Sequence, residues 1–158
     1  MSEEMPLVGV LAASPAELPI MRQAGLILEK FGVPHEVRIV SSSRNPDMVD
    51  EWARTAFERG VKVVICSTGL SGHLAAAVAA RTIFPVIGVP ISSSPQMVGS
   101  EALAITAQMP TGVPIATVGV DAAVNAAILA AQILGIADDE LQAALWKFKD
   151  DLAEGLKL

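Results

Sequence analysis

The residues able to do chemistry fall where apolar runs stop. Residues 39–47 read IVSSSRNPD: an apolar stretch ends in Ser41, Ser42, Ser43 and Arg44, and Pro46 opens the next segment. Hydroxyls, the free N–H groups of a helix start and one guanidinium are the usual equipment for holding a phosphate. The same residues also suit a plain turn and cap, since Ser, Asn and Pro are turn formers. Arg44 at the end of a buried strand is either solvated or holding an anion. Ser14 before Pro15 reads, taken alone, as an ordinary N-cap. His73 heads an apolar segment, where its ring either bonds a nearby carbonyl or serves as a proton carrier. Neither a P-loop nor a G-x-G-x-x-G run is present, so a nucleoside triphosphate or dinucleotide is not indicated.

Composition narrows the partners. The net charge is −6 with no cluster of Lys or Arg, which argues against nucleic acid or an anionic membrane. Tyr is absent and aromatics total 4%, so a base-stacking platform is not expected either. No apolar run approaches the ~20 residues of a membrane span. No basic segment precedes Pro6, so no signal peptide is expected. The one cysteine, Cys66, sits in an apolar run and cannot form an internal disulfide, which suits a reducing cytoplasm. We expect neither a metal nor a cofactor. The acidic residues of the final segment, from Asp138 to Glu154, read as a solvated face, and Met97, Met109, Trp52 and Trp146 as packing. Ala and Val are abundant, and small apolar surfaces of this kind often continue into a subunit interface.

The elements that must position these residues alternate. Strands are predicted over 6–12, 35–40, 61–67, 84–90 and 114–120, and helices over 15–31, 46–59, 73–80, 100–108, 121–134 and 138–156. Apolar strands without central charges, each followed by a helix, specify a parallel sheet covered on both faces. Right-handed crossovers then give an α/β three-layer, flavodoxin-like or Rossmann-like sandwich with five parallel strands. At 158 residues, 52% of them hydrophobic, the chain is expected to be a single domain over 1–158. Ligands of such sheets sit beyond the carboxyl ends of the strands, which selects loops 12–17, 41–46, 67–73, 91–101 and 119–125.

Several of these stretches together resemble one family. RIVSSSRNPD, PVIGVP, AQMPTGVPIATV and NAAILAAQIL are similar to V-V-S-A-H-R-T-P, P-V-I-G-V-P, V-Q-M-P-x-G-x-P-V-A-T-V and N-A-x-L-L-A-A-Q-I-L of the PurE family. That family comprises the phosphoribosylaminoimidazole carboxylases and carboxyaminoimidazole ribonucleotide mutases of purine biosynthesis. The similarity runs from Val8 to about Leu145. It implies a homo-octamer with sites at subunit contacts and an aminoimidazole ribonucleotide bound through its 5′-phosphate, with CO2 as a further small molecule. Carried over by position, Ser14 matches the first serine of G-S-x-S-D, and Ser41 and Arg44 match the serine and arginine of S-A-H-R. His73 matches the histidine of the family's Gly-rich G-A-G-G-A-A-H-L loop, Gly69 one of its glycines, and Asn125 the asparagine entering helix five.

The departures are as informative. Ser43 stands where the family carries its proton-transfer histidine, and Ala13, Ala16 and Glu17 replace the glycine, second serine and aspartate of G-S-x-S-D. Ser67, Leu70 and Ser71 stand for Gly, Gly and Ala, the loop after GVP is one residue longer, and Val120 replaces a lysine. The expected ligand contacts are thus Ser14, Glu17, Ser41, Ser42, Arg44, Gly69 and Ser71, with His73 and Ser43 at the catalytic position. Carboxylation at C4 of the aminoimidazole needs a proton to leave, and decarboxylation needs one to arrive. A serine hydroxyl cannot do this near neutral pH, and losing such a group slows a reaction ~10²–10⁴-fold. Three readings stay open: interconversion of aminoimidazole ribonucleotide and its 4-carboxylate using His73 or water, carboxyl chemistry on another nucleotide-like substrate, or a non-catalytic ribonucleotide-binding oligomer.

Overall fold

A computed structural model of the protein describes residues 5–69, 73–92 and 99–158. In chain order the elements are β1 (Val8–Ala12), α1 (Leu18–Lys30), β2 (His35–Ile39), α2 (Pro46–Ala56), β3 (Val63–Thr68), α3 (His73–Ala79), β4 (Val86–Pro90), α4 (Ser100–Ala107), β5 (Ala116–Thr117), α5 (Ala123–Gly135) and α6 (Asp139–Ala153). The strands form one parallel sheet in the order β2-β1-β3-β4-β5, the flavodoxin-like arrangement. The strand order reverses between β1 and β3, so the loops leaving those strands open a crevice at the carboxyl edge.

Alternation along the central strands divides the core in two. Val8, Val10, Ala12, Val63 and Ile65 face α1, α5 and α6, where they meet Met21, Leu28, Ala127 and Phe148. Leu11, Val64 and Cys66 face the other way, onto Trp52, Ala56, Leu74 and Val78 of α2 and α3. With both faces apolar, the strands read as continuous hydrophobic runs. Each fully buried Val, Leu or Ile among them contributes roughly 1.5–3 kcal/mol. Cys66 is completely buried in this core, and burial pushes its thiol pKa up.

Three expectations need correction. The strand predicted over 114–120 is reduced to Ala116–Thr117, paired with Ile87 and Gly88. Pro114 has no N–H to give the ladder. Beyond Thr117 the chain bonds β4 irregularly, from Val118 N–H to Gly88 O at 3.2 Å and from Asp121 N–H to Pro90 O at 2.8 Å. Asp121 reaches this position with φ at 56°. Trp146 does not pack within the chain but stands 68% exposed on α6, whereas Trp52 is buried as expected. Asp138 is more than part of a solvated face: its carboxylate accepts Leu141 N–H at 2.9 Å and caps α6. Met97 lies outside the described residues. No helix of the described residues is long and apolar enough to cross a membrane.

Candidate functional site

The carboxyl ends of β1, β2 and β3 converge on a cleft of about 140 Å³. Its walls carry Ser14 and Glu17 from the first loop, Ser41 through Arg44 from the second, and Gly69 and His73 from the third. Every residue expected at the site is therefore brought together except Ser71, which lies outside the described residues. Asn125 stands exposed near the start of α5 and is not part of this wall.

The first loop turns before α1 begins. Glu17 N–H bonds Ser14 O at 3.2 Å and Leu18 N–H bonds Pro15 O at 3.3 Å, so residues 14–17 form turns and the helix starts at Leu18. Pro19 occupies the first turn, where its missing N–H is harmless. Ser14 is thus not the helix cap that its neighbours suggest; Glu17 holds that place, and no side chain caps α1. The Ser14 side chain is left on the wall of the cleft.

Glu17 turns inward. Its Oε2 accepts Ala13 N–H at 3.1 Å and the Ser67 hydroxyl. The Ser67 oxygen in turn accepts the same Ala13 N–H at 2.9 Å. Ser67 is a member of the cleft that sequence reasoning did not place among the site residues. The available signal was a hydroxyl at the carboxyl end of an apolar strand, where burial demands a partner.

The second loop serves both of its readings. Asn45 caps α2, accepting Met48 N–H at 3.2 Å, and the Ser41 hydroxyl accepts Arg44 N–H at 3.1 Å. These bonds are the turn and cap. The Ser41 and Ser43 hydroxyls lie 3.5 Å apart. Arg44 folds back over β1, its Nη2 donating to Ala13 O at 2.8 Å, and remains exposed. A guanidinium beside three serine hydroxyls leaves several donors for an anion.

His73 is the first residue of α3 and is exposed. The other histidine, His35, begins β2 at the opposite edge of the sheet, its Nδ1 3.1 Å from Val33 O. A second pair joins neighbouring loops at the carboxyl edge: Ser92 N–H donates to Asp121 Oδ1 at 3.0 Å, with the Ser92 hydroxyl on the other carboxylate oxygen. A wider groove of about 560 Å³ runs beside β2. Its part-buried Glu36 is already satisfied by Trp52, Arg59 and Arg38. The cleft at the ends of β1, β2 and β3 sets serine hydroxyls and a guanidinium beside a carboxylate and an imidazole.

Known proteins resemble this chain in sequence and in fold. The family model described as AIR carboxylase matches residues 7–155. An N5-carboxyaminoimidazole ribonucleotide mutase of Pyrococcus horikoshii is 45% identical over 152 residues, covering 96% of this chain and 85% of that protein. A mutase of the same name from Thermotoga maritima is 46% identical over 146 residues, covering 92% and 85%. Among solved structures, a PurE2 variant of Treponema denticola superposes with a TM-score of 0.85 at 24% identity, covering 96% of this chain and 93% of that one. That last likeness is one of fold.

Proposed function

The chain belongs to the AIR carboxylase family, and from that premise we propose that it interconverts aminoimidazole ribonucleotide and its 4-carboxylate in purine biosynthesis. The observation that carries this reading is the placement of Arg44 and Ser41 to Ser43 in one cleft with Glu17 and His73. The 5′-phosphate is held by Ser14, Ser41, Ser42, Ser43 and Arg44, with the backbone at Gly69 beside the rest of the ligand. C4 of the aminoimidazole is an enamine-type carbon that adds to CO2 as electrons move in from the amino nitrogen on C5. The carboxylated carbon then loses its proton and the ring regains aromaticity. In the reverse direction C4 is protonated first and CO2 leaves.

The chain works as one cytoplasmic domain within a homo-oligomer, an octamer by resemblance. Exposed Leu103 and Ile105 on α4 support an interface of copies, because an apolar outer face is normally covered.

Ser43, at the place where the resemblance puts a histidine, favours a second reading as a ribonucleotide-binding module without turnover. The two separate in one experiment. Purified protein is titrated with aminoimidazole ribonucleotide and with its 4-carboxylate while heat and ultraviolet absorbance are followed. Binding with spectral conversion supports the enzyme. Binding without conversion supports the module, and no binding of either compound refutes both.

A further inference from the structure

Within the reaction proposed above, we infer that Glu17 carries the C4 proton and that Ser67 is its positioning residue. The cleft offers few candidates. Serine hydroxyls do not titrate near neutral pH, and a guanidinium offers hydrogen-bond donors but no acceptor for a proton. Among the described residues of the cleft, Glu17 and His73 remain.

They differ in how they are held. The His73 ring is exposed and has no hydrogen-bond partner among the described residues. Glu17 is half-buried, with Oε2 fixed by the Ser67 hydroxyl and by Ala13 N–H at 3.1 Å. Its Oε1 meets no protein donor among the described residues and faces Gly69, where an added Cβ would lie 3.1 Å away. One oxygen is pinned and the other is presented across a glycine to the cleft. A proton carrier needs this fixed geometry as much as it needs a titratable group.

Ser67 is itself completely buried. Its oxygen accepts Ala13 N–H at 2.9 Å and its hydrogen goes to Glu17. A buried hydroxyl is costly without partners, and here both of its capacities are spent on the carboxylate and the loop that carries it. The Ala13 peptide also divides the charges: its N–H points to Glu17 and its C=O accepts Arg44 Nη2 at 2.8 Å. A phosphate goes to the Arg44 side and is repelled by the carboxylate, so the aminoimidazole end of the ligand faces Glu17.

The step balances. After C4 has bonded CO2, Glu17 Oε1 takes the C4 proton, the C–H electrons restore the aromatic ring, and Glu17 becomes a neutral acid. In reverse, that acid protonates C4, and the C4–CO2 bonding electrons return to the ring as CO2 departs.

The test uses the full-length protein, the two ribonucleotides and two readouts. Turnover is followed by absorbance across a pH series, and exchange of the C4 proton of aminoimidazole ribonucleotide into D2O is followed by NMR without CO2. Glu17→Gln should lower both rates ~10²–10⁴-fold while the ribonucleotide Kd stays within a few-fold. Ser67→Ala should lower kcat more than it changes KM and displace the acid limb of the pH profile, with Ser67→Thr restoring both. His73→Asn should slow exchange far less than Glu17→Gln does. If wild type turns over and Glu17→Gln keeps its exchange rate, or loses only binding, the assignment is overturned while the reaction stands. If wild type binds both ribonucleotides without conversion or exchange, the reaction itself is overturned.

Discussion

Gly9 on β1 lies against the indole of Trp52 on α2: a Cβ added at Gly9 would fall 2.4 Å from Trp52 Cζ2. The ring cannot easily give way, since Trp52 Nε1 donates to Glu36 Oε1 at 2.8 Å and the Arg59 guanidinium lies 5.3 Å from the ring centroid. Gly9→Ala should therefore destabilise the fold by about 1–3 kcal/mol through overpacking. Urea unfolding checks this, and an unchanged midpoint would show that α2 shifts without cost.

Glu36 ties the same cluster to pH. Burial alone would raise its pKa, but hydrogen bonds from Arg59, Trp52 and Arg38 outweigh that effect and hold it below its ordinary value of 4.5. A folded-state pKa depressed below the unfolded one gives stability that is complete above 4.5 and is lost as pH falls through the lowered value. Thermal unfolding of wild type should decline in that acid window, and Glu36→Gln should show a shallower decline there at lower overall stability.

Arg44 is exposed and makes one side-chain bond, to Ala13 O. Arg44→Ala should leave the melting temperature nearly unchanged and weaken aminoimidazole ribonucleotide by about 1.5–3 kcal/mol, as for a lost hydrogen bond to a charged group. Calorimetric titration at fixed salt measures it. Undiminished affinity would place the phosphate elsewhere.

Gly69 leaves room beside Glu17 Oε1. Gly69→Ala should disturb the site more than the fold, lowering turnover at least tenfold with a melting temperature close to wild type. Equal losses in both would make Gly69 a folding residue.

The exposed apolar residues Leu103, Ile105 and Trp146 predict self-association. Sedimentation velocity at micromolar protein should show one symmetric species, with the octamer expected. A monomer there would refute the oligomer.

Much of this was legible along the chain. Apolar runs such as VVICST, completely buried in β3, and helices separated by Gly and Pro are patterns of near neighbours, and they were enough to imply a parallel sheet and the loops at its carboxyl edge. The serines and Arg44 at the end of β2 were visible for the same reason. Tertiary structure decided what depends on distant partners. The residues of 114–120 form only a short pairing because the edge strand has one neighbour and Pro114 lacks an N–H. Ser14 loses its capping role because the loop turns Glu17 inward. Glu17 and Ser67 are 50 residues apart in sequence and meet only because β1 and β3 pair in the register that sets Leu11 beside Cys66. Local periodicity encodes an element and the face it buries, whereas a carboxylate finds its hydroxyl only after two strands have docked.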